Sequence, residues 1–320
     1  MPLHEDGYTF ILNETVSCTP VGYTNRYGIE LAGDLYTPIN LDETRTYPAL
    51  VIGPPHGGVK EQGPGVYANE LARRGFVVLA FDPSYTGESG GEPRRVTSPE
   101  IFAEDFSAGV DYLGTLPYVS REQIGAIGIC GSGGFVLSQA SIDPRIRAVA
   151  TSAMYDISGM HREGWNDEGT AAQRQSALQN AAEQRWKDVD TGEAQLQPQF
   201  PLEMPASGLD PITHEFFEYY VKSNNRGWHP RSTGAFTLTS VPAHINFGQL
   251  KNLQDLAPRR VLLITGEMAH SKWFSDKVHT QLPDDSELVV VPGARHIDLY
   301  DDIGKIPFDR LEAFFKENLA

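Results

Sequence analysis

Short continuous apolar runs alternate along this chain with stretches whose apolar residues recur at helical spacing. The runs at 47–53, 76–81, 124–129, 146–154, 260–265 and 287–291 have the character of strands buried on both faces. Between them, 63–75 spaces Val66, Ala68, Leu71 and Ala72 as a helix does. The stretch 98–116 opens with Ser98 at a cap position and Pro99 at the first helical position, and 135–141 and 301–318 are further amphipathic stretches. Upstream, residues 8–12 and 28–36 alternate apolar and polar positions on either side of a turn at 25–28, which predicts antiparallel edge strands. Strands alternating with helices predict an α/β protein with a mostly parallel central sheet covered on both faces.

The rhythm breaks between 158 and 248, where helices are expected at 170–188 and 211–221 with a Pro-containing segment between them. About ninety residues without a strand signal are too long for a connection. The expected organisation is a main domain of 1–157 and 249–320 with a mainly helical cap inserted at 158–248. Its aromatics (Trp165, Phe216, Phe217, Tyr219, Tyr220, Trp228 and Phe236) should mostly pack on the main domain, with a minority lining an apolar pocket.

The chemistry concentrates at IGAIGICGSGG, residues 124–134. A strand running into small residues and then a helix is the setting of a G-x-S-x-G nucleophile elbow, whose strained turn leaves no room for larger side chains. Two frames fit, one centred on Cys130 and one on Ser132. The apolar run ends directly before Cys130, which favours it, and Ser132 is the alternate. A helix N-terminus at Cys130 would be expected to favour its thiolate. Glu267 follows the run at 260–265 and His296 follows the run at 287–291. A nucleophile, an acid and a histidine at successive strand ends suit covalent acyl transfer, in which a neutral imidazole takes the nucleophile's proton and a carboxylate fixes its tautomer. Asp156, after the run at 146–154, is the alternate acid. Two N–H donors are needed for an oxyanion. Gly131 is one candidate, and His56 or Gly57 the other, because Pro54 and Pro55 have no N–H to give.

Charge and composition narrow the partners. A net charge of -16 argues against nucleic acid and against an anionic membrane surface. Two cysteines, Cys18 and Cys130, make no disulfide framework and suit a reducing compartment. The N-terminus has no basic-then-apolar leader, and no apolar run approaches the roughly 20 residues that span a bilayer. A cytoplasmic location is expected. The glycines at 125–134 lack dinucleotide-binding spacing, and His161, His214 and His229 lack metal-ligand spacing, so neither cofactor nor metal is expected. A homodimer is compatible with these features.

Four stretches, 54–62, 81–93, 128–134 and 293–301, resemble the α/β-hydrolase superfamily in the branch near dienelactone hydrolases and X-Pro peptidase-like hydrolases. The stretch 266–275 looks like a fifth. The resemblance implies an α/β-hydrolase fold and acyl transfer from an ester, lactone or thioester to water or another acceptor. The substrate would be a small acyl compound, free or carrier-bound. Dienelactone hydrolases use an elbow cysteine, which by analogy supports Cys130; other relatives resemble polyketide transferases and thiohydrolases. The chain departs from these patterns in carrying Pro54–Pro55 where relatives often have His-Pro, and in lacking an Asp after Gly266. A competing class is a non-catalytic binding protein on the same fold, with Cys130 inert.

Overall fold

A computed structural model of the chain describes residues 4, 7–200, 208–221 and 226–320. Most of the N-terminal stretch read for a leader, and part of the Pro-containing segment of the insert, lie outside the described residues. The main sheet is formed by β1 (Val16–Thr24), β2 (Glu30–Pro38), β3 (Tyr47–Gly53), β4 (Val77–Phe81), β5 (Val119–Ile129), β6 (Ala148–Ser152), β9 (Val261–Gly266) and β10 (Ser286–Val291). Their order is β1-β2-β4-β3-β5-β6-β9-β10. β1 and β2 pair antiparallel, β2 meets β4 antiparallel, and the remaining pairs are parallel. Every residue of β4, β6 and β9 is buried, which is why these segments read as continuous apolar runs rather than alternating ones.

Helices α1 (Gly63–Ala72), α2 (Pro99–Leu113), α3 (Ser132–Ile142), α8 (Lys272–Gln281), α9 (Asp298–Asp301) and α10 (Phe308–Asn318) accompany the sheet. Leu50 pairs with Gly125, and Gly125 lies against the Phe315 ring of α10; Gly53, three residues beyond Leu50, lies against Phe106 of α2. Side chains alternate along a strand, so α10 and α2 cover opposite faces.

Between β6 and β9 the chain forms α4 (Ile157–Glu163), α5 (Ala171–Thr191), α6 (Pro211–Tyr220) and α7 (Val241–Asn246). It also forms an antiparallel ribbon of β7 (Leu196–Pro198) and β8 (Ala235–Thr237), three residues each and too short to leave a periodic signal. One expected strand is absent. Residues 8–12 do not join the sheet, because β1 already occupies its edge. Instead Tyr8 donates to Asp34, Thr9 donates to the Glu61 carbonyl, and Phe10 packs against Gly65.

Candidate active site

β5 ends at Ile129 and α3 starts at Ser132, so two residues make the turn. Cys130 takes φ of 54°, a left-handed conformation that costs a non-glycine residue about 1–3 kcal/mol. Neighbouring backbone holds it there: its N–H donates to Ser152 O at 2.9 Å, and its carbonyl accepts from Tyr155 N at 2.8 Å. Small residues are required around it. A Cβ on Gly128 would sit 2.2 Å from Ser132 O, and one on Gly131 would sit 2.8 Å from the His56 Cβ. Ser132 lies in the first turn of α3, with its Oγ directed at Gly53 of β3. The left-handed turn conformation therefore belongs to Cys130, and Ser132 points back into the sheet.

Cys130 is 5% exposed; beside it the backbone N–H groups of Gly131 and His56 lie on adjoining turns, and Tyr300 lines the same cleft. Neither N–H donates to a backbone carbonyl among the described residues. Gly57, the other oxyanion candidate, turns its carbonyl to the insert, where it accepts from Thr233 N and Ser232 Oγ. The His56 side chain anchors the loop: Gln199 donates to Nδ1, which leaves the Nε2 hydrogen for Thr97 Oγ1, and the ring stacks on Phe236 at 4.1 Å. Burial and the neighbouring His161 push His56 down to about 3, so the ring is neutral.

Burial pushes the Cys130 thiol up to about 11, although Tyr300 and the two N–H groups favour the thiolate. This runs against the expectation of a favoured thiolate, because desolvation outweighs those donors.

His296 is fully buried after β10. Its Nδ1 meets Ser271 Oγ at 2.6 Å and its Nε2 meets the Tyr300 hydroxyl at 2.7 Å. Burial, with His270 adjacent, holds it well below the ordinary histidine range. Neither expected acid occupies the Nδ1 position. Glu267 is exposed and its Oε2 accepts from Gly293 N at 2.9 Å, since one residue past β9 the chain still runs along the neighbouring loop. Asp156 is buried as the cap of α4 and accepts from Gly159 N at 2.7 Å. Ser271, the residue before α8, stands where a carboxylate would.

A carboxylate does lie nearby, and it comes from the segment between β6 and β9. Glu215 of α6 accepts from Ile297 N and pairs with His270 Nδ1, both at 3.0 Å, and the His270 ring lies 4.7 Å from that of His296. Glu215, Ser271 and Tyr300 were not singled out from the sequence. Tyr300 alone left a usable signal, four residues after His296 at the start of a helical turn.

Above the thiol is a cleft of about 320 Å3. Phe200, Phe216 and Tyr220, from the segment between β6 and β9, line it together with Tyr155, Ile157 and Met160, and no carboxylate, lysine or arginine is among its described lining residues. Among the described residues no group of three or more His, Cys, Asp or Glu side chains is placed to hold a metal ion, and no helix is long and apolar enough to cross a membrane.

This sheet, mostly parallel and flanked by helices, has the α/β-hydrolase fold. Residues 27–248 match the X-Pro dipeptidyl-peptidase (S15) family, and the chain belongs to that family. It is 48% identical over 314 residues to PA2218 of Pseudomonas aeruginosa, covering 97% of this chain and 83% of that protein. A crystal structure of PA2218 superposes with a TM-score of 0.93, at 46% identity and 99% coverage of both chains. YcjY of Escherichia coli is 35% identical, covering 97% of this chain and all of YcjY. The polyketide transferase grgF of a Penicillium species is 24% identical over 96% of this chain and 98% of its own. Its crystal structure, at 22% identity over 95% of this chain and 99% of its own, gives a TM-score of 0.76 and supports the fold. Membership of that family carries hydrolase or acyltransferase chemistry in general terms.

Proposed function

We propose that the protein cleaves or transfers the acyl group of an apolar ester, lactone or thioester through a thioester on Cys130, with His296 as the base and the N–H groups of Gly131 and His56 binding the oxyanion. The observation that carries this reading is a cysteine held at positive φ under an apolar cleft, with the His56 backbone packed against Gly131 beside it. The thiol and imidazole both rest neutral, so the base is available and the nucleophile ionises only as it attacks.

A dipeptidyl-peptidase reading, suggested by the family name, finds less support. Holding a free peptide ammonium calls for a carboxylate, and none is among the described cleft residues. The apolar lining instead suits an acyl chain, the kind of group that the name of the polyketide transferase grgF implies for that protein. The carrier of the acyl group and its acceptor are read from the assay.

The test is a panel of p-nitrophenyl esters and acyl thioesters, with and without an added thiol or alcohol acceptor. It compares wild type with Cys130→Ala, Ser132→Ala and His296→Ala. Loss of turnover in Cys130→Ala and His296→Ala, with Ser132→Ala largely active, is the expected result. An active Cys130→Ala would reject the nucleophile. Binding of acyl ligands without turnover in wild type would favour a non-catalytic binding protein.

A further inference from the structure

We infer that the Tyr300 hydroxyl is a proton relay between Cys130 and His296, a catalytic role that rests on the acyl-enzyme reading above. Nε2 of His296 lies 2.7 Å from the Tyr300 hydroxyl, and Tyr300 lines the same cleft as Cys130. Nδ1 is already engaged by Ser271 Oγ at 2.6 Å, so Nε2 is the nitrogen directed at the nucleophile's side of the site. Tyr300 is fully buried, one helical turn beyond His296, and its N–H donates to Ile297 O at 3.1 Å. A hydroxyl both donates and accepts, so it can join a thiol to an imidazole without changing its own charge.

The step balances as follows. The Cys130 sulfur attacks the substrate carbonyl carbon, forming the S–C bond and moving the C=O π pair onto oxygen, where the His56 and Gly131 N–H groups receive it. The thiol proton passes to the Tyr300 oxygen as the Tyr300 proton passes to Nε2, leaving an imidazolium. When the intermediate collapses, C=O reforms and the bond to the leaving group breaks. The leaving group then takes the proton back along the same path. Water or another acceptor repeats the sequence on the thioester, and the sulfur departs as the thiol.

The experiment is Tyr300→Phe, which removes one oxygen and keeps the ring. It is assayed beside Cys130→Ala by pre-steady-state acylation with a p-nitrophenyl ester in mixtures of H2O and D2O. A relay predicts an acylation rate lower by about 10²-fold or more. It also predicts that a curved proton inventory, with two protons in motion, becomes linear. An unchanged rate and inventory in Tyr300→Phe, with Cys130→Ala inactive, overturns the relay and leaves the acyl-enzyme reading standing. An active Cys130→Ala overturns both. If Tyr300→Phe melts early, a ring-fluorinated tyrosine at position 300 keeps the packing and acidifies the phenol. An altered acylation rate then supports the relay, and an unaltered rate overturns it.

Discussion

Alkylation of Cys130 as a function of pH tests the electrostatic account of the elbow directly. Desolvation raises the thiol from 9.0 to about 11, worth about 3 kcal/mol against the thiolate. The sign follows: reactivity is present above the raised value and lost below it. At pH 8 a thiol of pKa 11 is about 0.1% ionised and one of pKa 9 about 9%, so Cys130 should react with iodoacetamide roughly a hundredfold more slowly than a free thiol. Its rate should climb about tenfold per pH unit from 7 to 10 without levelling. Cys18 is also pushed up to about 11, so mass spectrometry must assign the adduct to each cysteine separately. A plateau reached below pH 9 at Cys130 would mean a resting thiolate–imidazolium pair, and the argument from burial would be wrong.

Three other outcomes are expected. Because His296 is held below the ordinary histidine range, kcat/KM should stay flat as pH falls through 6.5; Ser271→Asp, which places a carboxylate at Nδ1, should move the acid limb upward, and identical profiles would discount the Ser271 contact. Gly131→Ala places a methyl 2.8 Å from the His56 Cβ and should lower kcat about 10²–10³-fold by spreading the oxyanion donors, measured with a p-nitrophenyl ester. Asp105, fully buried, accepts from Asn25 Nδ2, Ser84 Oγ and Ser84 N, each at 2.8 Å, and burial pushes it up to about 7. The stability it contributes is complete below the ordinary carboxylate range and is lost as pH rises through about 7. Asp105→Asn should flatten that dependence in urea unfolding and cost about 1–3 kcal/mol, because an amide N–H2 then faces a donor.

What could be read beforehand was what a short window records. The buried strands were visible because both faces are apolar, and the elbow because Gly128, Gly131, Gly133 and Gly134 meet backbone or side chains too closely for a Cβ. The choice between Cys130 and Ser132 turns on a single φ, which spacing only hinted at. The partner of His296 was misread because strand-end position says which loop a residue occupies, not which way it faces. Glu267 follows β9 directly yet serves Gly293, whereas Ser271 four residues later reaches the imidazole. Glu215 was beyond reach for another reason. It lies 82 residues before the Ile297 N–H it accepts from, and no local pattern couples the two.

That long-range contact bears on how the insert works. His56 takes Gln199 and Phe236 from the segment between β6 and β9, and the loop carrying His296 takes Glu215 from the same segment. The sheet brings Cys130 to the carboxyl end of β5, but the loop of His56 and the loop of His296 are both tied to the segment that lines the cleft. A chain cut back to its sheet and helices would lose the wall that receives the acyl group. It would also lose the contacts that orient the two groups proposed to act on it. The substrate-facing aromatics and the polar anchors alternate along α6 itself: Phe216 and Tyr220 face the cleft, and Glu215 grips Ile297 and His270. A change of acyl specificity made by repacking α6 is therefore coupled to the position of His296, and the two properties should vary together among the variants of that helix.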